Sequence, residues 1–154
     1  MSNLTFKFTK ANGKTQHLTL DRVHYLRALN DDERANLAER YEHDTTSFNT
    51  AIRFFGHDSD TLATETLEHF QAAIALVNIG NGRFTPAATI HSAESFTKDD
   101  AQDLKAKTGR ELSNSFRSRV QTVTGETFLT VRHPAQLMES KAKALALSSA
   151  PQVN

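Results

Sequence analysis

Residues 4–20 read LTFKFTKANGKTQHLTL, and the pattern of this stretch decides the fold class. Apolar residues alternate with polar ones on both sides of Asn12-Gly13. Asn-Gly between two alternating runs is a strong hairpin signal, because both residues tolerate positive φ. The stretch therefore predicts an antiparallel hairpin with one face of leucine and phenylalanine and one of threonine and lysine.

A second hairpin is predicted near the other end of the chain. Residues 120–132 alternate about Thr124-Gly125, and His133-Pro134 ends the pattern. Before it, residues 83–90 have the composition of a short strand. Pro86 places that strand at a sheet edge, since proline has no N–H to donate.

The middle of the chain has helical spacing and helix caps. Asn30 with Glu33, and Thr97 with Asp100, match the capping box that opens many helices. Apolar spacing predicts a short helix after Asp21, a second that begins at the Asn30 cap and runs to residue 55, and further helices over 59–79, 101–116 and 135–147. Residues 44–47 favour a helix poorly, so the second element either kinks or splits there. For the helix over 101–116 there is an alternative, in which it breaks at Gly109 and Thr108 with Glu111 caps a second helix. The similar segments 37–43 and 62–69 are interpreted as a helical hairpin, not as a true repeat.

Strands and helices do not alternate regularly along the chain, which argues against a parallel doubly wound sheet. We predict an α+β fold: a small, mostly antiparallel sheet built from the N-terminal and C-terminal hairpins, with a helical middle packed on it. Residues 1–147 are predicted to form a single domain, and residues 148–154 a polar tail.

The net charge of zero conceals a strong segregation of charge along the chain. Residues 1–30 carry +4, residues 31–70 carry −7, residues 71–103 carry −2, and residues 104–154 carry +5. Blocks of opposite sign attract each other within one fold or between molecules. Charge pairing between copies of the chain is therefore one expected route to self-association.

Several classes of function find no support in the sequence. There is no cysteine, which excludes thiolate catalysis and cysteine-based metal sites. No phosphate-binding loop, dinucleotide fingerprint or nucleophile elbow occurs, so an enzyme is not favoured and no cofactor is expected. The sequence begins without a signal-like apolar run, and its longest apolar stretch is too short to span a membrane. We expect a cytoplasmic protein with no membrane partner.

Residues 105–132 hold the densest group of basic side chains, opposed by only two glutamates. Arginine and lysine on a helix and a hairpin strand suit contact with a phosphate backbone or with an acidic protein face. The candidate residues for binding a partner or nucleic acid are Lys105, Lys107, Arg110, Arg117, Arg119 and Arg132.

A metal site is the third hypothesis. The motif Glu-x-x-Glu-His occurs twice, and on a helix its first glutamate lies one turn from its histidine. Two such helices packed together would bring the four side chains to one point, as in carboxylate-bridged bundles. The candidate ligands are Glu39, His43, Glu65 and His69.

The leading hypothesis is a non-catalytic interaction or assembly module, with another protein or a second copy of itself as partner. It would self-associate through its oppositely charged faces. The alternative is a nucleic-acid-binding protein that uses residues 105–132. The third is a metal-dependent enzyme with the paired Glu and His residues.

Overall fold

The computed structural model describes residues 5–10, 13–40, 48–110 and 116–149, without the side chains of residues 38–40, 148 and 149. Within these ranges there are ten strands and four helices. The strands are β1 (Thr5–Thr9), β2 (Thr15–Thr19), β3 (Val23–Ala28), β4 (Thr50–Phe54), β5 (Thr61–Ala63), β6 (Leu76–Gly80), β7 (Arg83–Pro86), β8 (Ile90–Ser95), β9 (Ser118–Thr122) and β10 (Thr127–Thr130). The helices are α1 (Asp31–Arg40), α2 (Leu67–Ala73), α3 (Lys98–Thr108) and α4 (Pro134–Ser149).

The strands form three sheets, and every pairing within the described residues is antiparallel. One sheet is the β1–β2 hairpin, the second has the order β5-β4-β3-β7-β6, and the third has the order β10-β9-β8. The edge position predicted from Pro86 is wrong, because β7 pairs with both β3 and β6; its pairing with β3 involves only Arg83 and Phe84, so Pro86 lies outside that ladder. The prediction of an α+β fold with mostly antiparallel sheets and hairpins at both ends is confirmed.

The element order occurs twice along the chain. Two strands, a 3₁₀ turn, a strand, a helix, two strands and a helix make up unit 1 (residues 5–73). The same series makes up unit 2 (residues 76–149). The 3₁₀ turns are Leu20–Arg22 in unit 1 and Ala87–Thr89 in unit 2. The described residues therefore repeat one supersecondary unit in tandem, and we call this structural repeat the duplication.

The two units agree in detail as well as in order. Tyr25 lies opposite Arg53 in unit 1, as Ser92 lies opposite Gln121 in unit 2. The register shifts at the same place, just after the first residue of β3 and of β8. Directly after β4 and after β9, equivalent backbone N–H groups donate to the 3₁₀ turn of the same unit. Phe55 N–H donates to the carbonyl oxygen of Arg22, and Val123 N–H to that of Thr89, both at 2.9 Å.

Each unit has its own hydrophobic core, and each core borrows side chains from the other unit. The first core contains Phe8, Leu26 and Phe70, and Leu76 and Phe84 of unit 2 pack against it. The second core contains Ile90, Val120 and Leu137 together with Tyr25 and Phe55 of unit 1. The central five-stranded sheet thus has one core on each face.

The predicted helix after Asp21 is wrong: this segment forms a 3₁₀ turn and strand β3. Tyr25 enters the second core and Leu26 the first. A strand buried on both faces has no polar face, so its apolar residues imitate helical spacing.

The middle of the chain also holds less helix than predicted. The expected helix over 59–79 is instead β5, the short α2 and β6. The Asn30–Glu33 capping box opens α1, as predicted. The second part of the element expected to run to residue 55 is not helical, because Thr50–Phe54 is strand β4. Short apolar runs of this length suit a buried strand or a buried helix equally well. Residues 41–43 of the predicted helical hairpin lie outside the described residues, and its other segment, 62–69, is helical only from Leu67. The repeat in the structure relates other residues.

The later helices agree better with the sequence. The Thr97–Asp100 capping box opens α3, and Gly109 ends it in the left-handed conformation with φ 71°. Gly109 therefore ends this helix, as the break expected in the alternative requires. The second helix of that alternative falls on residues 111–115, which lie outside the described residues. The last helix forms as α4, with Leu137 fully buried in the second core. The single-domain boundary at residue 147 stays a prediction.

Candidate interaction surface

The third strand of each unit has a different environment. β3 is paired on both sides: with β4 on one edge, and with β7 of unit 2 on the other. On the β7 side, Leu26 lies opposite Phe84 and Arg27 opposite Arg83. β8 pairs with β9 alone among the strands of the described residues. The edge that joins the units in β3 is therefore free in β8.

Aromatic and cationic side chains strengthen the junction between the units. The Arg83 guanidinium lies 4.4 Å from the ring centroid of Tyr25. The His24 ring stacks on Phe55 at 4.8 Å and lies 4.6 Å from Phe128 of unit 2. Such contacts add to the apolar area that they bury. The side chains of Tyr25, His24 and Phe55 thus add contacts with unit 2 to the strand pairing of Leu26 and Arg27.

The position of His24 also fixes its charge. Burial, together with the positive charges of Arg83 and Arg53, lowers the pKa of the His24 imidazole to about 4. The ring is therefore neutral at neutral pH. His24 lines a cavity of about 270 Å³ beside Arg83 and Thr130. Because the ring is stacked between two phenyl rings, it acts there as a packing group.

The turn between β6 and β7 is held closely against unit 2's last strand segment. A Cβ added to Gly80 would collide with Cγ2 of Val131, and Gly80 has φ 96°. Arg132 Nη1 donates a hydrogen bond of 2.6 Å to the carbonyl oxygen of Asn78. The turn therefore requires glycine for both its conformation and its close approach.

The unit 2 residues that correspond to the junction are exposed. Ser92 is the equivalent of Tyr25, and Val123 is the equivalent of Phe55. Val123 is 57% exposed, although Phe55 is only 8% exposed. Lys141 donates to the carbonyl oxygen of Ile90 and so covers the start of β8. We call the remaining part, residues 92–95, the open edge.

Comparing the edges of the two units shows which are unusual. β1 of unit 1 and its counterpart β6 of unit 2 are both edge strands, and so are the counterparts β5 and β10. β4 and β9 are central in both. Only two strands differ from their counterparts: β2 is free on the side where β7 is paired, and β8 is free on the side where β3 is paired. Within the described ranges, β2 and β8 are thus the two edges that lack the neighbour found in the other unit.

The six predicted basic residues lie around the three-stranded sheet and α3, but they do not form one cluster. Lys105, Lys107, Arg110 and Arg117 are exposed. Arg119 makes a cross-strand ion pair of 3.7 Å with Glu94 and lies over the Phe96 ring at 5.5 Å. Arg119 lies on the exposed face of β9, and Arg117 is exposed directly before that strand. The Arg132 side chain is bound instead to the backbone of β6.

The proposed metal ligands are placed only in part. His43 and the side chain of Glu39 lie outside the described residues. Glu65 does not lie on a helix with His69, because Thr66 is the N-cap of α2 and its side chain accepts from the His69 N–H. The Glu65 carboxylate accepts hydrogen bonds from the backbone N–H and hydroxyl of Thr9, at 2.9 and 2.8 Å. The part of the chain described here holds no group of three or more potential metal ligands.

An ion-pair network was missed by the sequence interpretation. Asp60 accepts from Arg53 at 2.7 Å and from Arg27 at 3.0 Å, and Arg27 also bonds Glu33 at 2.8 Å. Burial of Asp60 opposes its ionisation, but the two arginines outweigh burial and lower the pKa of its carboxyl group. The sequence signal was weak, since the network depends on the pairing of β3 with β4.

Comparison with protein-family models, curated proteins and solved structures finds no match to this chain. Among the described helices, none has the length and apolar character needed to cross a membrane.

Proposed function

We propose that this chain is a non-catalytic interaction and assembly module that self-associates, and that the open edge is its main contact surface. The observation that supports this function is the contrast between β3 and β8, which are equivalent strands with different neighbours. An unpaired strand edge offers a row of N–H and C=O groups to a second chain. A cytoplasmic location belongs to the same proposal.

Charge supports association between copies. Residues 5–19 carry three lysines and no acid, a net charge of +3. Residues 92–103, which include the open edge and the start of α3, carry four acids and one lysine, a net charge of −3. Opposite charges of this size favour encounter and orientation, and salt screens them.

Sedimentation velocity over a range of protein concentration tests the function. We expect the mean mass to rise with concentration at low salt and to fall again when salt is added. A monomer at every concentration and ionic strength would contradict self-association.

Two matched variants connect association to the open edge. Ser92 and Thr127 are exposed, lie in the same cross-strand row as Gln121, and occupy opposite edges of the three-stranded sheet. Ser92→Lys places a cation on the open edge and is expected to weaken association at least tenfold. Thr127→Lys makes the same charge change on the other edge and is expected to leave association unchanged.

Nucleic-acid binding is the second candidate. It is favoured by two exposed arginines, Arg119 on the exposed face of β9 and Arg117 directly before that strand. A mobility shift with single- and double-stranded DNA and RNA tests it. Binding that weakens with salt, and is lost on Arg117→Glu with Arg119→Glu, would support it. Absence of binding at low salt would exclude it.

A further inference from the structure

We infer that copies of this chain associate head to tail, by addition of strand β2 of one copy to the open edge of the next. The register would be the one that β7 adopts on β3. This inference rests on the proposed self-association and specifies its geometry. The duplication supports it, because the pairing of β7 with β3 shows within one molecule how one unit binds the unit that follows it.

The two unpaired edges belong to strands that are equivalent to the two strands of the internal junction. Inside the chain, the hairpin of unit 2 adds to the third strand of unit 1 through β7. Among the described residues, β2 of the equivalent hairpin of unit 1 pairs with β1 alone. Within the same ranges β8, the equivalent third strand of unit 2, pairs with β9 alone. The unpaired edges of β2 and β8 are therefore equivalent to the two halves of the internal junction.

The register of β2 on β8 of the next copy follows from the equivalent positions in the two units. Thr19 and Pro86 are equivalent, because each comes directly before the 3₁₀ turn of its unit. Counting back, His17 corresponds to Phe84. On the other strand, Ala93 corresponds to Leu26, since the two occupy the same place after the register shift. The Leu26–Phe84 pair therefore predicts that Ala93 of one copy lies opposite His17 of the next.

The strength of the intermolecular contact follows from the side chains at its junction. The internal junction pairs two apolar side chains, Leu26 and Phe84, against the first core. The intermolecular junction would place Ala93 and His17 at those positions and would gain little apolar burial. Backbone hydrogen bonds and the opposite charges of residues 5–19 and 92–103 would supply most of the attraction. The contact is therefore expected to be weaker than the internal one, reversible and sensitive to salt.

The form of the assembly follows from the difference between the two edges. A junction between two different edges is heterologous, so each copy added presents a new open edge. Such contacts produce open chains or rings, whereas a contact between two β8 strands would produce only closed dimers. The distribution of masses is therefore expected to extend beyond the dimer.

Disulfide trapping tests the register, and the absence of cysteine in the native chain makes the test clean. The two single variants are His17→Cys and Ala93→Cys, which leave the charges of lysine and acid unchanged. Cα atoms of antiparallel partners lie about 4.5–5.5 Å apart, which suits a disulfide. Mixing the two variants under mild oxidation is expected to give the mixed dimer as the main product. A chain with both substitutions is expected to give a ladder of longer species.

The control pairs His17→Cys with Thr127→Cys, which lies on the opposite edge of the same sheet. It is expected to form at least tenfold less mixed dimer. If Ala93→Cys instead links mainly to itself, the contact is isologous and the head-to-tail inference is wrong. If the native chain associates and yet no mixed dimer forms, the inference also fails, while the proposed function stands. A native chain that is monomeric throughout removes both.

Discussion

Leu26 of β3 lies opposite Phe84 of β7, and this pair joins the two units of the chain into one five-stranded sheet. Both side chains contact the first core, although Phe84 belongs to the second unit. The junction is thus part of the folded core of the protein, and its stability can be measured by substitution.

Leu26→Ala is expected to lower the free energy of unfolding by about 2–5 kcal/mol, because it leaves a cavity in a fully buried site. Leu147→Ala is the matched control, since Leu147 is 80% exposed, and its effect is expected to stay within about 0.5 kcal/mol. Urea unfolding monitored by circular dichroism measures both. Equal effects of the two substitutions would contradict the described packing of β3.

The Gly80 turn makes a second prediction. Gly80→Ala and Gly82→Ala both place alanine at positive φ, which costs roughly 1–2 kcal/mol. Only Gly80→Ala adds a collision with Val131, so it is expected to destabilise the fold more than Gly82→Ala does. Adding Val131→Ala is expected to reduce the difference between the two. If Val131→Ala leaves that difference unchanged, the close approach of the turn is wrong.

Asp60→Asn is expected to destabilise the fold by about 1–3 kcal/mol at neutral pH, because Arg27 and Arg53 lose a charged acceptor. Since pairing lowers the pKa of the Asp60 carboxyl group, its stabilisation is present above about pH 4 and is lost as the pH falls. Unfolding measured at pH 7 and pH 3 checks this. Asp58→Asn is the control, because Asp58 is exposed.

His24 predicts a pH effect in a higher range. Its pKa in the fold is about 4, below the ordinary value of 6.5, so the folded state binds the proton less readily than the unfolded chain does. The stability is therefore complete above about pH 6.5 and declines as the pH falls toward 4, by at most about 3 kcal/mol.

His24→Phe keeps a ring between Phe55 and Phe128 and removes the proton site. It is expected to flatten the dependence of the unfolding free energy on pH between 6.5 and 4. His91→Phe is the matched control, because His91 occupies the same place in unit 2 and is exposed. An unchanged pH dependence in His24→Phe would show that His24 is not held as described.

Local patterns in the sequence predicted the elements that depend on neighbouring residues. The Asn12-Gly13 hairpin, the Thr97–Asp100 cap and the last helix follow from turn chemistry and spacing over a few positions. β3 could not be recognised, since its apolar residues on both faces serve two cores at once. The duplication was equally hidden, because it survives in register and hydrogen bonds while Tyr25 corresponds to Ser92 and Leu26 to Ala93.

The candidate surface was predicted only in part. Alternation predicted Arg117 and Arg119 on one face, and both are exposed, Arg119 on β9 and Arg117 directly before it. Charge segregation indicated opposite faces. The open edge itself required the strand order, because a free edge is a property of the sheet and leaves no pattern in the strand sequence.

Amide hydrogen exchange of β3 and β8 at increasing protein concentration tests the central claim most directly. Protection of the β3 amides is expected at every concentration, because β4 and β7 cover both sides of the strand. The outward amides of residues 92–95 are expected to exchange rapidly in dilute solution and to become protected as concentration rises at low salt, while those of β10 do not change. Exchange at residues 92–95 that stays the same at all concentrations would contradict the account.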